Sequence, residues 1–74
     1  YNAGVDVHAD DSLGKMSLTD EGIERRDRYV LTTCAEKGIP VACAIGGGYA
    51  VNHASIVMRH AILHRVASQI YTLY

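Results

Sequence analysis

Hydrophobic and polar positions along this chain switch between two periods. Residues 1–5 (YNAGV) are short, apolar and glycine-containing, and read as the end of a buried strand. Residues 8–14 (HADDSLG) are polar and rich in turn formers, which predicts a loop. Next comes a helix start. Ser17 and Asp20 fit a capping box, Thr19 is the alternative N-cap, and Asp20 and Glu21 suit the positive end of a helix dipole. The helix is predicted from about residue 19 to 36. Ile23, Val30, Leu31 and Cys34 share one face of it, and Gly38 followed by Pro40 ends it. Residues 39–45 (IPVACAI) form an apolar run without alternation, as in a strand covered on both faces. Three glycines and Tyr49 follow. From about residue 51 to 70 the helical period returns, with Ala54, Val57, Met58, Ala61, Ile62, Val66 and Ile70 as an apolar stripe and Met58 in the core.

The order is therefore strand end, loop, helix, strand, glycine loop, helix. That alternation belongs to an α/β fold with a parallel sheet. Two strands and two helices cannot cover such a sheet on both faces, so the rest of the sheet is expected outside this chain. The length agrees: 74 residues make one small domain at most, and a chain of that size buries only about 60% of its unfolded surface. An apolar content of 49% excludes a disordered tail. With seven Lys and Arg against eight Asp and Glu, the net charge of -1 supplies no footprint for nucleic acid. Cys34 and Cys43 make no disulfide framework, and read as buried thiols in a reducing compartment, the cytoplasm. Neither a signal peptide nor a membrane span is visible, since the run at 39–45 has strand length and contains Pro40.

Ligands of open α/β sheets bind beyond the carboxyl ends of the strands. Asp6 follows the first strand end and Gly46-Gly47-Gly48-Tyr49 follows the second. If the strands are parallel, a carboxylate and a phenol emerge at one edge and face one cleft. A glycine run permits close backbone approach to a ligand. Taken alone it reads more simply as a tight strand-to-helix turn. It lacks the Gly-Lys-Ser/Thr ending of a phosphate loop, and no Lys or Arg flanks it. Asp6-Val7-His8 is a possible pair of metal ligands, whereas Asp10-Asp11 reads as a solvated loop. His60 and His64 have the i, i+4 spacing of a shared metal, but Ala61 stands where an HExxH helix carries Glu, so they read as surface or packing residues. His53 has no evident partner. Arg25-Arg26-Asp27 reads as a solvated or salt-bridged helix face.

Several of these motifs recur together in one family. Tyr1-Asn2-Ala3-Gly4-Val5-Asp6, Asp11-Ser12-Leu13-Gly14, Leu18-Thr19, Gly22, Arg26-Asp27 and Gly46-Gly47-Gly48-Tyr49, in this order and spacing, resemble the C-terminal part of zinc-dependent histone deacetylases and their bacterial relatives. The resemblance runs from Tyr1 to about Leu63. The YNAG-x-D opening and the GI-x-RRD helix look most like the class IV and bacterial acetoin-utilisation branch. It implies an arginase/deacetylase fold, a three-layer α/β/α domain around a mainly parallel sheet. It also implies hydrolysis of an acyl amide, acetyl-lysine or an acetylated amine. By position, Asp6 would be the last of three zinc ligands, Leu13 would line the rim of the acyl-lysine tunnel, Gly47 its wall, and Tyr49 would donate to the transition-state oxyanion. The family's general-base histidine pair and its Asp-x-His ligands are absent; after Asp6-Val7-His8 comes Ala9-Asp10 rather than a second His and glycines, so on this resemblance Asp6 is the later, single ligand and His8 an ordinary loop residue. The implied reading is a segment of a zinc amidohydrolase, inactive alone. The other reading is a small binding or regulatory α/β module descended from that fold without its chemistry. The open sheet edge of such a segment predicts dimerisation or strand exchange.

Overall fold

The computed structural model describes residues 1–11, 13–14, 16–48 and 52–73. Among them the elements follow in the order β1 (Asn2–Gly4), α1 (Asp20–Glu36), β2 (Ala44–Gly46) and α2 (His53–Leu73). The two strands are parallel, with Asn2 opposite Ala44, Ala3 opposite Ile45 and Gly4 opposite Gly46. Parallel neighbours need a long crossover, and α1 supplies it.

Thr19, not Ser17, caps α1. Its backbone is extended and its Oγ1 accepts the Gly22 N–H at 3.1 Å. Ser17 is displaced from that role because its neighbour Leu18 is already bridged to the loop after β1. The Leu18 N–H donates to the Val7 carbonyl at 2.9 Å, and its own carbonyl accepts from Ala9 at 2.8 Å. At the other end the Ile39 N–H returns to the Cys34 carbonyl at 2.9 Å, beside Gly38 and Pro40. The side chain of Asn52 opens α2, accepting the Ala54 N–H at 3.0 Å. Helix α2 runs on to Leu73, three residues beyond the limit expected at Ile70.

One core joins Ala3 of β1, Ile23 and Leu31 of α1, and Ile62, Leu63, Val66 and Ile70 of α2. The apolar stripe expected on α2 is rotated. Its buried face is Arg59, Ile62, Leu63, Val66 and Ile70, while Met58 is 69% exposed and Val57 is exposed with it. Met58 therefore does not belong to the core: 59, 63, 66 and 70 repeat at helical spacing, and Met58 sits one residue, about a hundred degrees, off that line. On α1 the buried line is Ile23, Asp27 and Leu31, with Val30 and Cys34 only half-buried. Glu24 pairs with Arg65 across the two helices, and Arg28 donates to Gln69 Oε1 at 2.5 Å.

The apolar run 39–45 forms less ladder than expected. Tyr1 is the last residue opposite it: the Tyr1 nitrogen donates to the Ala42 carbonyl at 2.8 Å and its carbonyl accepts from Ala44 at 2.9 Å. Ile45 is 53% exposed, and Ile39 and Val41 are exposed as well, so the described residues do not cover this run on both faces. The cysteines depart from expectation for the same reason. Cys34 is half-buried and Cys43 exposed, both free. Among the described residues no helix is long and apolar enough to cross a membrane.

Candidate functional site at the carboxyl edge

Because β1 and β2 are parallel, their carboxyl ends emerge together. The pairing continues one step past β1, where the Val5 N–H donates to the Gly46 carbonyl at 3.0 Å. Asp6 comes next and turns its carboxylate across the sheet edge. A Cβ on Gly4 would stand 3.1 Å from Asp6 Oδ1, and one on Gly47 would stand 2.9 Å from Asp6 Cβ, Cγ and Oδ1. Gly47 is also at φ +67, a left-handed conformation that side chains resist. Space and conformation both demand glycine there. The next residue, Gly48, is packed against Ile56 and Val5, with His60 Nε2 at 3.3 Å from its missing Cβ.

The loop after β1 closes the third side, and side chains hold it. Asp11 is buried, and its Oδ2 accepts the N–H groups of Leu13 at 3.1 Å and Gly14 at 2.9 Å. This turn presses Gly14 onto the Asp6 main chain, where a Cβ would fall 1.5 Å from the Asp6 carbonyl oxygen. His8 is buried too. Its Nδ1 accepts the Asp10 N–H at 3.0 Å, so Nε2 faces Asp20 Oδ1, 2.8 Å away. Two expectations are corrected here. Asp11 is a buried turn former rather than a solvated acid, and His8 is a fixed strut between loop and helix rather than an ordinary loop residue.

Of the expected site residues, Asp6 and Gly47 are in contact. Leu13 stands beside Gly14 on the same loop and is 67% exposed. Tyr49 directly follows Gly48 in sequence and lies outside the described residues. Asp6 itself is half-buried, and no described residue donates a hydrogen bond to its carboxylate. His64 is exposed, whereas His60 packs beneath the glycine loop.

A second carboxylate lies behind this edge and was not expected to be buried. Asp27 is 1% exposed. Its Oδ1 accepts from Tyr1 Oη at 2.5 Å and from Arg26 Nε and Nη2 at 3.1 and 3.0 Å. Desolvation first, then donation to Asp27, pushes the Tyr1 phenol up from 10.0 to about 12. The salt bridge belongs to the Arg26-Asp27 pair as expected and Arg25 is exposed, but Asp27 itself is buried. The spacing held the clue: Asp27 is four residues after Ile23 and four before Leu31, on their line. For Asp11 the clue was an acid three residues before a glycine, the pattern of a side-chain-closed turn.

The edge thus combines a parallel βαβ unit, an acid at the end of its first strand and glycines packed against that acid. Residues 1–65 match the histone deacetylase domain, and the chain belongs to that family. An uncharacterized protein of Picosynechococcus sp. is 55% identical over 71 residues, 96% of this chain and 24% of that protein. Histone deacetylase 2 of Arabidopsis thaliana is 37% identical over 57 residues, 77% of this chain and 15% of that protein. The chain therefore spans a quarter or less of the length of these relatives.

The donor chemistry fits one position of a zinc site and no more. A catalytic zinc takes three protein ligands and leaves one place open. Asp6 offers carboxylate oxygens to which no described residue donates, but the described residues contain no group of three His, Cys, Asp or Glu that could enclose a metal.

Proposed function

We propose that this chain is the part of a zinc-dependent deacetylase domain that carries one metal ligand, Asp6, and the oxyanion donor, Tyr49. The observation that supports this most is Asp6 itself: a carboxylate without a described donor, set against Gly4 and Gly47 at the carboxyl edge of a parallel sheet, in a chain of the histone deacetylase family. The remaining ligands and the general base would come from elsewhere in the domain. Bound there, zinc would polarise the amide carbonyl and make its water acidic. The chain's own residues would do the rest. The glycines leave room for an acyl-lysine or acylated-amine stem, Leu13 gives the mouth an apolar rim, and the Tyr49 hydroxyl donates to charge developing on the carbonyl oxygen. The YNAG-x-D opening and the Arg26-Asp27 pair support a place near the class IV-like and bacterial branch. Alone, the chain would be inactive.

The test uses the full-length protein and an acetyl-lysine peptide. Tyr49→Phe should keep its zinc and its KM and lose roughly 10²–10³-fold in turnover, the usual loss for one oxyanion donor. Asp6→Ala should lose zinc and activity together. Wild-type turnover in Tyr49→Phe would sink the assignment.

A further inference from the structure

Arg26 reaches from α1 to the main chain of β1. Its Nη1 donates to the Gly4 carbonyl at 2.6 Å, two residues before Asp6. In this strand the Tyr1 carbonyl and the Val5 N–H face β2, so by strand alternation the Gly4 carbonyl points the other way, away from the ladder. Arg26 satisfies it from outside. The guanidinium is itself held on two further sides, by Asp27 Oδ1 through Nε and Nη2 and by the Tyr1 ring, whose centroid is 5.7 Å away. A planar fork can serve a carbonyl and a carboxylate at once, and an ammonium cannot do so in the same geometry.

We propose that Arg26 is the positioning residue for Asp6, locking the end of β1 so that the carboxylate projects against Gly4 and Gly47 while Gly14 packs on its main chain. Asp27 and Tyr1 serve it by fixing the guanidinium. The inference rests on the reading of Asp6 as a metal ligand. It adds that the ligand's strand is clamped from the helix side, outside the cleft, by a residue that touches neither metal nor substrate.

The experiment measures the zinc dissociation constant of the full-length protein by competition with a chromophoric chelator, well below the melting temperature. Arg26→Ala should weaken zinc by about 10–100-fold, the usual loss when a ligand's support is removed. Arg26→Lys, which keeps the charge and loses the fork, should restore only part of this and decides the matter if the alanine variant does not fold. Ile70→Val, in the core near the carboxyl end of α2, controls for general loss of stability and should leave zinc affinity unchanged. Wild-type zinc affinity in both Arg26 variants, with zinc lost from Asp6→Asn, would overturn this inference alone. Zinc retained by Asp6→Asn would overturn the reading of Asp6 and this inference with it.

Discussion

Two aspartates show how differently one side chain is used within this small unit. Asp27 lies on α1 among apolar residues, almost without solvent contact, and its Oδ1 receives three donors from Arg26 and Tyr1. Asp6 lies at the sheet edge, half-buried, with glycines rather than donors around it. A buried carboxylate is costly unless it is paired and hydrogen-bonded, and Asp27 meets that condition fully. Asp6 does not, and nothing in the described fold uses its charge. The saturated acid explains how β1 and α1 are joined, and the bare one is the acid to which the proposed function assigns the metal.

The sharpest way to break this comparison is to remove each carboxylate in turn. Asp27→Ala leaves the Arg26 guanidinium and the Tyr1 hydroxyl without their acceptor. It should cost about 3 kcal/mol, as breaking a buried pair does. Asp6→Asn, in protein freed of metal by a chelator, should stay within about 0.5 kcal/mol of wild type, since it removes no described hydrogen bond. Urea unfolding midpoints of the two variants would show it. Equal losses would mean that Asp6 has a structural partner after all and that the contrast is false.

This contrast was only half legible in the sequence. The place of Asp6 at the carboxyl edge was readable, because it directly follows an apolar strand end. The βαβ order was readable because α1 and the run 39–45 carry strong, different periods. Asp27 was not, since an acid beside two arginines reads as a surface charge run unless its place on the Ile23–Leu31 line is weighed above its charge. The facing of α2 failed for a related reason. Its residues are apolar around much of the circumference, so periodicity alone did not show that Arg59 and Leu63, rather than Val57 and Met58, turn inward. The extent of β2 was out of reach, because ladder length depends on how much partner strand lies opposite, and the described ladder pairs only Ala44, Ile45 and Gly46 with β1.

A second, smaller effect sharpens what surrounds Asp6. Gly38 and Gly47 have almost the same backbone, φ +65 and +67, but a Cβ on Gly38 would meet nothing within 4 Å while one on Gly47 would meet the Asp6 side chain at 2.9 Å. Alanine at Gly38 should cost only the strain of a left-handed residue, about 1 kcal/mol. Alanine at Gly47 should cost about 2 kcal/mol, because the Asp6 side chain must also move. Only the Gly47 variant should weaken zinc in the full-length protein. Calorimetric melting with chelator competition on the same pair tests both halves, and equal behaviour of the two variants would show that Gly47 does not confine Asp6.

The smallest effect tests the saturated side of the comparison. Tyr1→Phe removes one donor to Asp27 and leaves the ring under Arg26 in place. The expected cost at neutral pH is about 1 kcal/mol, the net worth of one hydrogen bond. Its pH dependence is more telling than its size. The Tyr1 phenol is raised from 10.0 to about 12 in the folded protein, by desolvation and by donation to Asp27. A group whose folded pKa is raised stabilises the fold fully below its unfolded value and loses that contribution as pH climbs through the folded one. The advantage of wild type over Tyr1→Phe should therefore hold up to about pH 10 and disappear by about pH 12. Other tyrosines and lysines titrate in the same range, so the observable is the difference between the two proteins at each pH. Denaturant midpoints measured in parallel across that window give it directly. A gap that stays constant through the window would mean that the phenol is not donating to Asp27, and the clamp on Arg26 would then rest on Asp27 and the Tyr1 ring.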